Sequence, residues 1–199
     1  MNKSEAIELI KEKLPDKRYQ HSLRVADTAV KLARIYEGDV DKAEMAGILH
    51  DYCKYDDLGY MYQIVRQHDL DPNLLSFGGE ILHGPVCAAL MKSEYDITDD
   101  EILTAIAYHT TGRAQMTKTE KIVFIADYIE PERQIPGVEE IRDMAYNQGS
   151  LDHTIYEISK RTVLYLISND ITVFNTTIEC LNYYNYSDCL LYTSPSPRD

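Results

Sequence analysis

Residues 43–54, AEMAGILHDYCK, decide how the rest of the chain is read. Ala43, Ala46 and Gly47 fall at i, i+3 and i+4 of a helical repeat, and His50 follows at i+7, so its ring lies on the face those small residues bury. Asp51 comes next. An imidazole beside an ionised carboxylate at a buried helix end is costly without a positive charge, and a divalent cation satisfies both groups. A solvated helix end explains the dipeptide more cheaply, so the surrounding chain must discriminate between the two.

On the amino-terminal side, the spacing predicts a helix over residues 4–14, ended by Pro15, and a second over 17–36, stopped at Gly38. On that second helix His21, Val25, Ala29, Leu32 and Tyr36 form one stripe, which puts His21 inward near the helix start. The central helix spans about 41–50 with Asp39 or Asp41 as its cap, and 56–68 offers a fourth. At ILHGPV, Pro85 implies a break and restart, with His83 at the joint. Thr98 and Glu101 form a capping-box pattern ahead of Ile102, Ala105, Ile106 and His109, again at i, i+3, i+4 and i+7, so this helix also ends on an inward histidine. Thr117 and Glu120 open another helix in the same way. It carries Val123 and Asp127 on one face of the apolar run IVFIADYI, where an acid needs a partner, and Pro131 ends it. Helices over 137–147 and 151–169 follow, the last with Ile155, Ile158, Thr162 and Leu166 inward. No strand alternation, long-period repeat or dinucleotide-binding turn intervenes. The expected architecture is all-α, one bundle of about eight to ten helices.

The totals narrow the function. With 199 residues, 44% of them hydrophobic and 27% charged, the chain has the composition of one well-buried domain. A formal net charge of -13 and the lack of any basic cluster argue against a nucleic-acid partner. No run approaches the roughly 18 apolar residues that a membrane span needs, and the charged amino end is not a signal peptide. A cytoplasmic protein without a membrane partner is expected. Cys53, Cys87, Cys180 and Cys189 show no C-x-x-C spacing, and the first three read as reduced core residues. The last stretch, CLLYTSPSPRD at 189–199, is similar to translated sequencing adapter and is set apart as a non-native tail, leaving 1–188 as the domain. Tyr183, Tyr184 and Tyr186 offer either a homodimer patch or an exposed chain end.

Six side chains therefore share one description. His21, His50, Asp51, His83, His109 and Asp127 all lie on, or at the ends of, helices whose neighbouring positions face the core. Each alone is an ordinary core histidine or capped acid; together they read as a metal site. The order H…HD…H…H…D resembles the HD-domain metallophosphohydrolases over nearly the whole of 1–188, and the resemblance implies a single HD-domain bundle. It further implies one ion on His21, His50, Asp51 and Asp127, and a second on His83, His109 and bridging Asp51. Four imidazoles and two carboxylates without a thiolate suit two divalent first-row ions, iron ahead of manganese, better than a closed structural zinc. The words HSLRVA, HDYCK, LHGPV, YHTTGR and ADYIEPER resemble the YqeK-type branch, bacterial symmetrical diadenosine-tetraphosphate hydrolases that release two ADP. That branch usually has Pro-Gly after the HTTGR arginine, where this chain has Ala114-Gln115.

What the resemblance implies chemically is attack on an inner phosphorus by a hydroxide bridging the two ions, with Asp51 holding both. Lys54, Arg113 and Arg133 stand just beyond metal-bearing helix ends, where they could hold a polyphosphate and neutralise developing charge. Arg24 is a further substrate contact or a partner of Asp51, and Thr110 and Thr111 could donate to phosphate or cap their helix. His68 and His153 fit no part of the pattern and read as surface. The same ligands would serve another HD-domain hydrolase, acting on nucleoside mono- or triphosphates or cyclic dinucleotides. A di-iron oxygenase and a non-catalytic nucleotide-binding regulator are the other readings.

Overall fold

Helix α1 (Lys3–Lys13) begins where the sequence supplies its own cap: Asn2 accepts from the Glu5 amide at 3.0 Å and Glu5 accepts from the Asn2 amide at 2.7 Å. The computed structural model describes residues 1–147 and 149–188. After α1 come α2 (Asp16–Ile35), α3 (Val40–Leu49), α4 (Leu58–Gln67), a 3-10 turn (Pro72–Ser76) and α5 (Gly79–Ser93). The chain continues through α6 (Asp100–Tyr108), α7 (Lys118–Ile129), α8 (Val138–Asn147), α9 (Leu151–Ser168) and α10 (Asn175–Asp188). Among the described residues there are ten α-helices and no strand, as expected. The segment 189–199, read above as a non-native tail, lies outside the described residues.

Asp39 and Asp57 cap α3 and α4 through side-chain oxygens, and Thr117 with Glu120 forms the expected box at α7. The cap of α6 is Asp99 rather than Thr98, because Asp99 accepts from both the Glu101 and Ile102 amides. Glu101 is thereby free to accept from Thr119 of α7. Pro85 does not break its helix. Although its ring removes one ladder bond, α5 runs through it because Leu82, His83, Gly84 and Val86 around it are all buried, and packing outweighs the local preference. On α9 the inward face turns further than the spacing predicted. Ile155 and Ile158 are buried, but Val163 takes the place expected of Thr162 and Leu166.

The core has two parts. One joins α1, α3, α4, α5 and α6 around Leu49, Met61, Leu82 and Ile106; the other joins α2, α7, α8, α9 and α10 around Leu32, Ile125, Ile141 and Tyr184. Helices α2, α3, α5, α6 and α7 line the seam between them. Two crossings there are unusually close. A β-carbon at Gly47 would stand 2.8 Å from the Ala26 α-carbon, and one at Gly84 would stand 2.7 Å from the Ala107 carbonyl. The absence of a side chain at these positions brings α3 onto α2 and α5 onto α6.

Tyr184 is not part of a surface patch. It is fully buried, its hydroxyl accepting from the Met116 amide at 3.1 Å, while Tyr183 is exposed; the Tyr186 side chain lies outside the described residues.

Candidate metal centre

Six helical positions converge at the seam. His21 comes from α2, His50 and Asp51 from the end of α3, His83 from α5, His109 from the end of α6 and Asp127 from α7. The four rings and Asp51 are buried. His21 Nε2 lies 3.1 Å from Asp127 Oδ1 and 3.6 Å from Asp51 Oδ2, and His50 Nε2 lies 3.2 Å from Asp51 Oδ2. On the other side, His83 Nε2 and His109 Nε2 lie 3.1 and 3.7 Å from Asp51 Oδ1. Each carboxylate oxygen of Asp51 thus faces a different pair of histidines.

The rear of every ring is fixed. Nδ1 of His50, His83 and His109 donates to the carbonyls of Gly47, Gly79 and Ile106 at 2.8, 2.9 and 2.8 Å, and Nδ1 of His21 donates to Glu130 at 3.2 Å. A carbonyl or carboxylate only accepts, so these partners assign the tautomer and leave Nε2 of a neutral ring as a bare lone pair. All four lone pairs point at the same small volume. The Nε2 atoms of His21 and His50 are buried with no hydrogen-bond partner, a costly state for which a cation is the natural remedy. Subsets of these groups, His21, His50 and Asp127 or His50, Asp51 and His109, present ligand atoms within 4.8 Å of one another. The donor set fits divalent metal ions.

Protonation differs from ring to ring: burial would lower His50, but Asp51, Asp127 and the Gly47 carbonyl raise it above the ordinary imidazole value, a proton there serving the acids as a cation would. Burial pushes the His109 imidazole down to about 3, and His50 and His83 beside it push the same way, so it is neutral and able to ligate. Burial alone would raise the Asp51 and Asp127 carboxyls. The facing histidines outweigh it and, together with Arg133 at Asp127, hold both well below the usual carboxylate range. Both acids are charged.

Of the cations predicted around the site, Arg133 and Lys54 reach it. Arg133 donates to Asp127 Oδ1 at 2.6 Å and to the Asp127 carbonyl at 2.9 Å. Lys54 lines the same cavity and pairs with Glu80 at 2.7 Å. Thr110 also lines it, its hydroxyl 2.9 Å from His109 Nε2. Three expected contacts are placed elsewhere. Arg113 grips Glu120 with two hydrogen bonds of 2.6 and 2.9 Å, Thr111 donates to the Gly112 carbonyl, and Arg24 binds Glu130 at 2.7 Å rather than Asp51. His68 caps the carboxyl end of α4 and His153 lies against Tyr156, neither in the cluster.

Two residues were not read from the sequence. Arg18 donates to Asp51 Oδ2 at 2.7 Å, in the place considered for Arg24. Glu130 is buried and accepts from His21, Arg24 and the Glu132 amide together. Each stands three residues from a recognised ligand, Arg18 before His21 and Glu130 after Asp127, and that helical spacing is the signal that would have found them.

The fold and the site place the chain in a class. The HD domain description matches residues 18–132, and the chain belongs to the HD domain family. Among curated proteins, it is 74% identical over 188 residues to the symmetrical bis(5'-nucleosyl)-tetraphosphatase of Staphylococcus aureus, covering 94% of this chain and 97% of that one. It is 40% identical to the protein of the same name from Halalkalibacterium halodurans, covering 92% and 96%. A crystal structure from Clostridium acetobutylicum, described as a predicted HD superfamily hydrolase involved in NAD metabolism, superposes with a TM-score of 0.89 at 35% identity, covering 94% of this chain and 99% of that one.

Proposed function

We propose that this chain hydrolyses diadenosine tetraphosphate symmetrically to two ADP. The observation that carries the reading is the complete six-residue cluster, with both oxygens of Asp51 committed to separate histidine pairs, in a chain similar over its length to the S. aureus enzyme. His21, His50, Asp51 and Asp127 would hold one divalent ion, and His83 and His109 with Asp51 a second. Iron or manganese, which this nitrogen and oxygen donor set suits, would supply Lewis acidity toward phosphate oxygens and a coordinated water of lowered pKa.

The residues of the chain supply the rest. Asp51 bridges the two halves of the site and fixes their separation. Arg18, Lys54 and Arg133 line the cavity over the cluster and give a tetraphosphate bridge positive charge on a surface that otherwise repels it. Hydrolysis breaks one of the two bonds that the bridging oxygen makes to the inner phosphorus atoms; that oxygen leaves with one ADP, and water supplies the new oxygen on the phosphorus of the other and gives up its proton to solvent. ADP leaves as a stable anion, so no dedicated proton donor is required. We assign Arg133 to the charge that develops on the transferring phosphoryl group. Cys53, Cys87 and Cys180 are buried free thiols, which favours a reducing, cytoplasmic setting.

Chromatography of the products from metal-loaded protein and diadenosine tetraphosphate tests the reading. Two ADP per substrate are expected. ATP plus AMP, or unchanged substrate, would overturn it.

A further inference from the structure

The cavity over the cluster adjoins a second one. The first, about 260 Å³, is floored by Asp51, Asp127 and His109; the second, about 380 Å³, is walled by Lys17, Tyr55, Gln134 and Ile135. Arg18 and Arg133 line both, so the two meet at these guanidiniums.

The second cavity is positive on a chain of net charge -13. Its acids, Glu130 and Glu132, both pair with Arg24, at 2.7 and 3.1 Å, and the cations Lys17, Arg18, Arg24 and Arg133 outnumber them. Arg18 and Arg133 rest on Asp51 and Asp127, the same carboxylates assigned above to metal. Cations at those acids would take over their neutralisation and release both guanidiniums to phosphate.

Tyr55 completes the picture. It stands on the turn after His50 with 61% of its surface exposed and lines the cavity together with Arg18. A large ring so exposed contributes little to the core. With Ile135, which lines the same cavity, it gives an apolar surface next to charge, the combination that binds a base attached to phosphates, and the Gln134 amide adds a hydrogen-bonding group to the same lining. The volume falls within the range of small-ligand pockets.

We infer that this second cavity receives one nucleoside arm of the substrate, its phosphates held by Arg18 and Arg133 and its base stacked on Tyr55. The inference rests on the proposed function above. A π-face accepts any base, so this surface favours nucleotides over bare polyphosphate without choosing among nucleobases.

Calorimetric titration of ADP and of pyrophosphate into metal-loaded protein tests it. Tyr55→Ala is expected to weaken ADP about five- to a hundredfold while leaving pyrophosphate unchanged, and Tyr55→Phe to restore most of the loss. For diadenosine tetraphosphate, KM should rise in Tyr55→Ala with kcat retained. Wild-type protein that does not bind ADP, equal losses for ADP and pyrophosphate, or no loss in Tyr55→Ala would each overturn the subsite. If wild-type protein fails to cleave diadenosine tetraphosphate, the proposed reaction falls, and the ADP and pyrophosphate titrations still decide the subsite.

Discussion

His83 Nε2 and His109 Nε2 stand 2.9 Å apart, although the Nδ1 of each ring already donates to a backbone carbonyl. Two neutral rings so arranged oppose their lone pairs, and burial keeps His109 neutral, with a pKa of about 3. The Thr110 hydroxyl, 2.9 Å from one nitrogen and 3.4 Å from the other, can donate a proton to only one of them. The arrangement is unfavourable empty and favourable around a cation, which joins the fold's stability to the bound metal.

That coupling gives the first prediction. Removing metal with a chelator should lower the melting temperature, and adding back iron(II) or manganese(II) at about a thousand times its dissociation constant should raise it by roughly 10 °C. Differential scanning calorimetry reads the shift. An unchanged melting temperature with every first-row divalent ion would remove the metal centre from the account.

Glu130 should matter as much as some direct ligands. Its carboxylate accepts from His21 Nδ1, so it fixes the tautomer that leaves Nε2 open, and it is itself oriented by Arg24. Glu130→Gln keeps the size but presents an amide that can turn its NH₂ toward His21 or Arg24. Metal affinity or turnover should fall about ten- to a hundredfold with the helical signal intact. Metal analysis of the purified variant, beside its circular dichroism, separates this from misfolding.

The helices and the inward histidines were legible because both depend on periodicity. His50 and His109 each close an i, i+3, i+4, i+7 run, and the structure buries both. What periodicity cannot report is where a chain goes after a helix ends. Arg113 lies four residues past His109 in sequence, yet Gly112 adopts φ +62° and turns the chain away, so that Arg113 meets Glu120. Pro85 misled for the opposite reason, since a local rule yields to burial on all sides of it. Arg18 escaped notice because it belongs to none of the recognisable words, although its distance from His21 placed it on the same helix face.

Gln115 offers a stability test that touches none of the proposed ligands. Its backbone has φ +54°, in the left-handed region that disfavours a β-carbon, and its side chain is exposed. Gln115→Gly should stabilise the protein by up to about 1 kcal/mol, the strain relieved being partly offset by the freedom glycine gives the unfolded chain. Gln115→Val should destabilise it by a similar amount or more. Denaturant melts of the two variants should move in opposite directions; movement in the same direction would mean that the loop relaxes without strain.

Gly84 joins packing to the site most directly. A β-carbon there would stand 2.7 Å from the Ala107 carbonyl and 3.0 Å from that of Ile106, both backbone atoms that cannot rotate aside. Gly84→Ala must therefore push α5 from α6. Those two helices carry His83 and His109, and the Ile106 carbonyl is the acceptor that fixes the His109 ring. Overpacking of this kind costs about 1–3 kcal/mol. A slight separation should also open the distance between the two Nε2 atoms, so the variant should lose the ion assigned to His83, His109 and Asp51 while retaining the one assigned to His21, His50, Asp51 and Asp127. Metal counting on folded Gly84→Ala protein should give half the wild-type content. A full complement would show that the close crossing serves stability alone, and complete loss would show that the two halves of the site cannot fill independently.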